Sequence, residues 1–239
     1  MDIKLVVFDM DDTLFLERSY VESGFRAVAE MLAREYQVDA FYEAAWGQFE
    51  LGARGDIFDS VLNGVAKSLP RNIVDRCVSV YREHEPQIEL LDDSLALLRS
   101  CQTKFQTGLV TDGPRNSQRA KVRSLDLNNL ITRIVITDEH GQGWPKPAPT
   151  AFEALQNWFG IRGAECVYFG DNPTKDFVGG QALGWRTVRV RRPGGLHAAL
   201  ETDTDAEFEV PDLTSKSLAE IALPKIYDEV AKASRWVNK

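Results

Sequence analysis

Five short apolar runs set the frame for this chain: Leu5-Val6-Val7-Phe8, Thr107-Gly108-Leu109-Val110, Arg133-Ile134-Val135-Ile136, Cys166-Val167-Tyr168-Phe169 and Arg186-Thr187-Val188-Arg189-Val190. Each has the length and residue types of a buried strand. Helical patterns fall between the later four. Pro114 to Leu125 opens with proline, tolerated in a first turn. Ala148 to Phe159 carries Phe152, Leu155 and Phe159 on one face and stops at Gly160. Asp176 to Leu183 ends at Gly184, a C-terminal cap. Strand and helix in alternation predict an α/β fold, a doubly wound parallel sheet.

Residues 16–87 break that rhythm and contain no strand pattern. Ser19-Tyr20-Val21-Glu22 fits a capping box opening a helix, with Val21, Phe25, Val28 and Leu32 at helical spacing. Further helices would carry Tyr42, Ala45, Trp46 and Phe49, then Phe58, Val61, Leu62 and Val65, then Ile73, Cys77, Val80 and Tyr81. Their aromatic residues read as the core of a small bundle, with Pro86 marking its exit. The expected organisation is a core of residues 1–15 and 88–239 with a helical insertion over 16–87. Ile226 to Lys239 reads as a terminal helix.

A length of 239 residues suits one large domain or a domain with a smaller insertion. A net charge of −8 argues against a nucleic-acid partner, so an anionic ligand would need local cations or a metal. Cys77, Cys101 and Cys166 have no metal-type spacing and read as reduced packing groups. Asp9, Asp11 and Asp12 interrupt the only apolar N-terminal run, so no secretory signal is expected, and no stretch is long enough to span a membrane. The expected compartment is the cytoplasm.

The chemistry gathers where strands end. Phe8-Asp9-Met10-Asp11-Asp12-Thr13-Leu14 follows the first apolar run. Carboxylates there lie at the edge where open α/β sheets bind ligands. Crowded carboxylates need a metal or a shared proton to coexist at neutral pH. The second strand ends Thr111-Asp112-Gly113, offering a hydroxyl and backbone N–H groups to a phosphate. Trp144-Pro145-Lys146-Pro147 holds a lysine between two prolines. The fourth strand runs into Gly170-Asp171-Asn172-Pro173-Thr174-Lys175-Asp176, a pair of carboxylates of the kind a Mg²⁺ site requires.

In this order, Asp-x-Asp-x-Thr, strand-end Thr, Lys-Pro and Gly-Asp-x-x-x-x-Asp resemble the complete motif set of the haloacid dehalogenase-like (HAD) phosphohydrolases. The resemblance spans roughly 1–15 and 88–212, and the inserted helices look like the family's C1-type cap. It implies that Asp9 is a nucleophile forming an aspartyl-phosphate, with Asp11 as general acid and then base. Asp9, Asp171 and the Asp11 backbone carbonyl would hold Mg²⁺, while Asp176 orients Lys146 or waters. Thr111, the Asp112 N–H and Lys146 would hold phosphoryl oxygens.

The implied activity is Mg²⁺-dependent hydrolysis of a small phosphate ester. A phosphomutase shares all four motifs. A 2-haloacid dehalogenase would generally lack Asp11, and a non-catalytic binding protein would be expected to lose one of Asp9, Asp11, Lys146 or Asp171. Sugar phosphates, nucleoside monophosphates and phosphorylated small acids all fit this reading. In capped relatives an interhelix loop selects the leaving group, and Leu51-Gly52-Ala53-Arg54-Gly55-Asp56 is the candidate. Its glycines allow Arg54 to aim inward or to remain a solvent-exposed arginine. Asp12 reads as a turn or capping residue. His84, His140 and His197 show no partner pattern, and Arg186, Arg189, Arg191 and Arg192 read as a mostly solvated edge from which Arg191 or Arg192 could approach the cleft.

Overall fold

A computed structural model describes residues 3–65, 69–202 and 206–220. The chain divides into two compact units, residues 18–88 and the remainder on either side.

The larger unit is built on a six-stranded parallel sheet. Its strands are β1 (Leu5–Phe8), β2 (Gln106–Thr111), β3 (Arg133–Ile136), β4 (Cys166–Gly170), β5 (Arg186–Val190) and β6 (Phe208–Val210). They lie in the order β3-β2-β1-β4-β5-β6. In β1 every residue is buried, as expected of a central strand covered on both faces. Val7 aligns with Gly108 on one side and Tyr168 on the other. Leu5, Val7, Val110, Phe152, Leu155, Tyr168, Phe177 and Trp185 form part of one buried cluster on the sheet. The strand order turns outward in both directions from β1, so the C-terminal ends of β1, β2 and β4 flank the crevice where such sheets bind ligands.

The smaller unit holds most of α1 (Glu17–Tyr36), together with α2 (Phe41–Glu50), α3 (Ile57–Val65) and α4 (Ile73–Glu83). Its core is aromatic. The Phe25 ring lies 5.8–6.4 Å from those of Phe41, Phe49, Phe58 and Tyr81. Gly24 lets α1 meet α4 closely, since a Cβ there would collide with the Tyr81 ring. Ser23 Oγ accepts the Gln87 N–H at 2.9 Å and contacts His84 Nε2 at 3.1 Å, fastening the end of the unit to α1.

Helices α5 (Asp92–Gln102), α6 (Arg115–Ser124), α7 (Thr150–Phe159), α8 (Val178–Ala182) and α9 (Ser215–Glu220) belong to the sheet unit. The five expected strands are present. Strand β6, only three residues long, had no recognisable run.

Two local expectations are corrected. Helix α1 begins at Glu17 and not at Ser19, because Asp12 Oδ1 accepts the Glu17 N–H at 2.8 Å. The arginine edge is not a solvated face: Arg189 and Arg192 are buried. Strand β6 makes β5 an interior strand, and Arg189 donates to the carbonyls of His197 at 3.0 Å and Leu200 at 2.6 Å. Arg192 donates to Thr13 O, Asp93 Oδ2 and Ser94 Oγ, all within 2.9 Å. All three cysteines are free and buried. No described helix is long and apolar enough to cross a membrane. The helix expected over Ile226 to Lys239 lies outside the described residues.

Candidate active site

Two strand ends and two loops bring the acidic residues and a lysine together. Asp9 follows β1, Asp171 follows β4, and Asp176 stands on the loop after β4. Carboxylate oxygens of these three lie within 4.8 Å of one another. Lys146, from the loop before α7, enters the group with its Nζ 2.5 Å from Asp9 Oδ1, 2.7 Å from Asp176 Oδ1 and 3.0 Å from the Tyr168 hydroxyl. The loop after β4 is held tightly. Asp176 Oδ2 accepts the Asn172 N–H at 2.8 Å, and Asn172 Oδ1 accepts from Thr174 N and Oγ1. Gly170 is needed at its start, since a Cβ there would strike the Asp176 carboxylate.

The charges do not balance within this group. Burial raises Asp9 well above the ordinary carboxylate range; Lys146 opposes the shift, and Asp176 and Asp171 add to it. Asp171 is raised by burial too, although its hydrogen bond from His197 pulls the other way. For Lys146, burial lowers basicity, but Asp176 and Asp9 outweigh it and leave the ammonium well above its usual value. Three carboxylates facing one ammonium leave excess negative charge. Hard oxygen donors with that excess suit a divalent cation such as Mg²⁺.

Asp11 points elsewhere. Its carboxylate takes Lys121 Nζ at 2.6 Å on Oδ1 and Gln118 Nε2 at 3.0 Å on Oδ2, both from α6. Only its backbone carbonyl was expected at a metal. Thr111 and Asp112 sit at the end of β2 beside these two side chains. Gln118 Nε2 also lies 2.5 Å from Thr111 Oγ1 and 2.9 Å from Asp112 O. The Asp112 carboxylate accepts from Thr137 Oγ1 at 2.7 Å and pairs with Lys175 at 3.2 Å. Burial alone would raise Asp112, yet Lys146, Lys175 and the Thr137 hydrogen bond together hold it below its usual value.

Asp12 has positive φ and is almost fully buried. Besides the Glu17 N–H it accepts that of Leu196 at 2.7 Å, and burial pushes its pKa up to about 6. Arg54 lies in the helical unit. It is exposed, its guanidinium 4.1 Å from the Phe49 ring, with Nη1 donating to Phe49 O at 2.9 Å and Ala53 O at 2.6 Å.

Gln118, Lys121, Tyr168, Lys175 and His197 contact the expected residues but were not foreseen. His197 Nδ1 lies 2.8 Å from Asp171 Oδ2, a partner 26 positions away in sequence. One signal for the α6 pair was available: Arg115 to Ser124 offers only Ala120 and Val122 as apolar residues, so its buried face had to include polar side chains.

The family profile for haloacid dehalogenase-like hydrolases matches residues 3–184. The chain belongs to that family. Among HAD-like relatives, a glyceraldehyde 3-phosphate phosphatase from Methanopyrus kandleri is 29% identical over 221 residues, covering 88% of this chain and 91% of its own length. A human N-acylneuraminate-9-phosphatase is 22% identical over 210 residues, covering 80% and 84%. The crystal structure of the HAD-hydrolase YfnB from Bacillus subtilis, bound to magnesium, superposes with a TM-score of 0.65 at 18% identity, over 93% of this chain and all of that one. At that identity the likeness is one of HAD fold.

Proposed function

We propose that this hydrolase is a Mg²⁺-dependent phosphatase of a small phosphorylated metabolite, working through an aspartyl-phosphate on Asp9. The observation that carries the reading is the convergence of Asp9, Lys146, Asp171 and Asp176 at one edge of the sheet, beside Thr111 and Asp11. Relatives named for phosphatase activity on glyceraldehyde 3-phosphate and N-acylneuraminate 9-phosphate support the substrate class. Residues 1–15 and 88–239 are the proposed catalytic core, and 16–87 the proposed C1-type cap. The proposed compartment is the cytoplasm, where buried free thiols such as Cys77 and Cys101 remain reduced.

In this mechanism the Asp9 carboxylate attacks phosphorus as the bond to the leaving oxygen breaks. For this step Asp11 must have taken up a proton and left its pair with Lys121; it gives that proton to the leaving oxygen. Water then attacks the aspartyl-phosphate, Asp11 takes its proton, and the bond between phosphorus and the Asp9 oxygen breaks to release phosphate. Asp9, Asp171 and the Asp11 carbonyl would hold Mg²⁺, which would supply positive charge against the phosphoryl oxygens. Thr111 and the Asp112 N–H would bind the remaining oxygens. Lys146 has three N–H donors facing three partners, so it must release one to receive a phosphoryl oxygen.

The test is a phosphometabolite panel assayed for phosphate release with Mg²⁺ and with chelator, on the native protein and on Asp9→Asn. Native turnover should vanish with chelator and in the variant, which should still fold. Substantial turnover by pure Asp9→Asn would remove Asp9 as nucleophile.

A further inference from the structure

Gln118 is a buried amide on the first turns of α6 with three acceptors around one nitrogen. Nε2 lies 2.9 Å from Asp112 O, 3.0 Å from Asp11 Oδ2 and 2.5 Å from Thr111 Oγ1. A carbonyl can only accept, and the Asp11 carboxylate, paired with Lys121, accepts as well. These two contacts fix which end of the amide faces the group, a choice that geometry alone leaves open. A hydroxyl facing that N–H has one role left. The amide has two hydrogens for three acceptors, so one N–H is shared; its nitrogen accepts nothing, and Thr111 Oγ1, the nearest of the three, can only accept from it, its single proton pointing away from the amide.

We propose that Gln118 is a positioning residue that sets the polarity of the Thr111 hydroxyl, making it a hydrogen-bond donor toward an anionic ligand. The inference rests on the phosphatase reading and names the ligand group as a phosphoryl oxygen. Without an N–H at this place, the hydroxyl could turn its proton onto the acceptors Gln118 now serves. It would then present lone pairs to an anion. Lys121, one turn further along α6, fastens the other Asp11 oxygen, so the carboxylate side of the arrangement has its own anchor.

The experiment is a double-mutant cycle on the full chain with Gln118→Met, Thr111→Val and both together. Gln118→Met keeps the length and removes the donors. The probe is inhibition by orthovanadate of Mg²⁺-dependent hydrolysis of an aryl phosphate, with thermal melts to verify folding. Either single variant should weaken vanadate by about tenfold or more, the size expected for a hydrogen bond to a charged group. The double variant should match Thr111→Val within about twofold, since Gln118 acts through that hydroxyl. Unchanged inhibition of Gln118→Met, or losses that multiply in the double variant, would overturn the inference. If Gln118→Met does not fold, Thr111→Val decides alone: vanadate binding at native strength means that the hydroxyl donates nothing. A native protein with no Mg²⁺-dependent phosphatase activity overturns the underlying reading instead, and the inference falls with it.

Discussion

Lys146 and Asp176 meet at 2.7 Å with neither side chain exposed to solvent. The same ammonium reaches Asp9, so one cation serves two buried carboxylates and a third, Asp171, lies in the same group. Lys146→Met would leave those charges facing one another. Breaking a buried pair from one side costs about 3–5 kcal/mol. Denaturant unfolding of the metal-free variant at neutral pH should show a loss of that order, partly recovered by Mg²⁺. A variant as stable as the native chain would mean that the carboxylates hold a proton instead.

The pH dependence follows from the same crowding. Asp9 and Asp171 are raised by burial, and Asp12 reaches about 6. A carboxyl group more basic folded than unfolded contributes stability below its unfolded value and loses it as pH rises through the folded one. For Asp12 that window runs from 3.8 to about 6. The metal-free protein should therefore melt higher near about pH 5 than about pH 7.5. A divalent cation prefers the ionised carboxylates, so Mg²⁺ should raise the melting temperature more at the higher pH. Melts with Mg²⁺ and with chelator at both values check this; a metal-free Tm that climbs with pH contradicts it.

Asp11→Asn should separate leaving groups. General acid–base groups typically supply about 10²–10⁴-fold. An alkyl phosphate should lose turnover on that scale, and an activated aryl phosphate should lose much less because its leaving oxygen needs no proton. Equal losses for both would take the acid role from Asp11.

Arg54 is the proposed selector of the leaving group. Its described bonds to Phe49 O and Ala53 O use only Nη1 of a guanidinium with five N–H donors. Charge-assisted hydrogen bonds to a polar leaving group would strengthen binding by about 1–3 kcal/mol. Arg54→Ala should lower kcat/KM for the native metabolite by about tenfold or more, and leave a small phosphate donor nearly unchanged. If both substrates respond alike, Arg54 makes no such contact.

Much of what was legible in the sequence sits on or directly after a buried strand, while Lys146 is marked by the prolines on either side of it. Leu5–Phe8 and Cys166–Phe169 announce themselves as apolar runs, and Asp9 and Asp171 follow at once. The rest is set by tertiary neighbours. Lys121 reads as one more charge on a polar helix, and only the fold shows that its side chain is buried against Asp11. Arg189 alternates like a solvated residue until β6, too short to be seen, takes the outer place in the sheet. His197 gains meaning from a contact across 26 positions that no local pattern encodes.

The route out of the sheet unit and the route back run side by side: Leu91 N–H donates to Leu14 O at 3.1 Å, and Arg192 bonds both Thr13 O and the Asp93 carboxylate. In polymer terms, residues 15–90 form a loop whose ends are pinned by the body that it leaves. The entropy of closing such a loop grows only slowly with its length. The length of that interval therefore bears only weakly on keeping its ends together, which the sheet unit does through Leu14, Thr13 and Asp93. Residues can be added or lost within the interval at small entropic cost while one arginine keeps Thr13 and Asp93 together at its base.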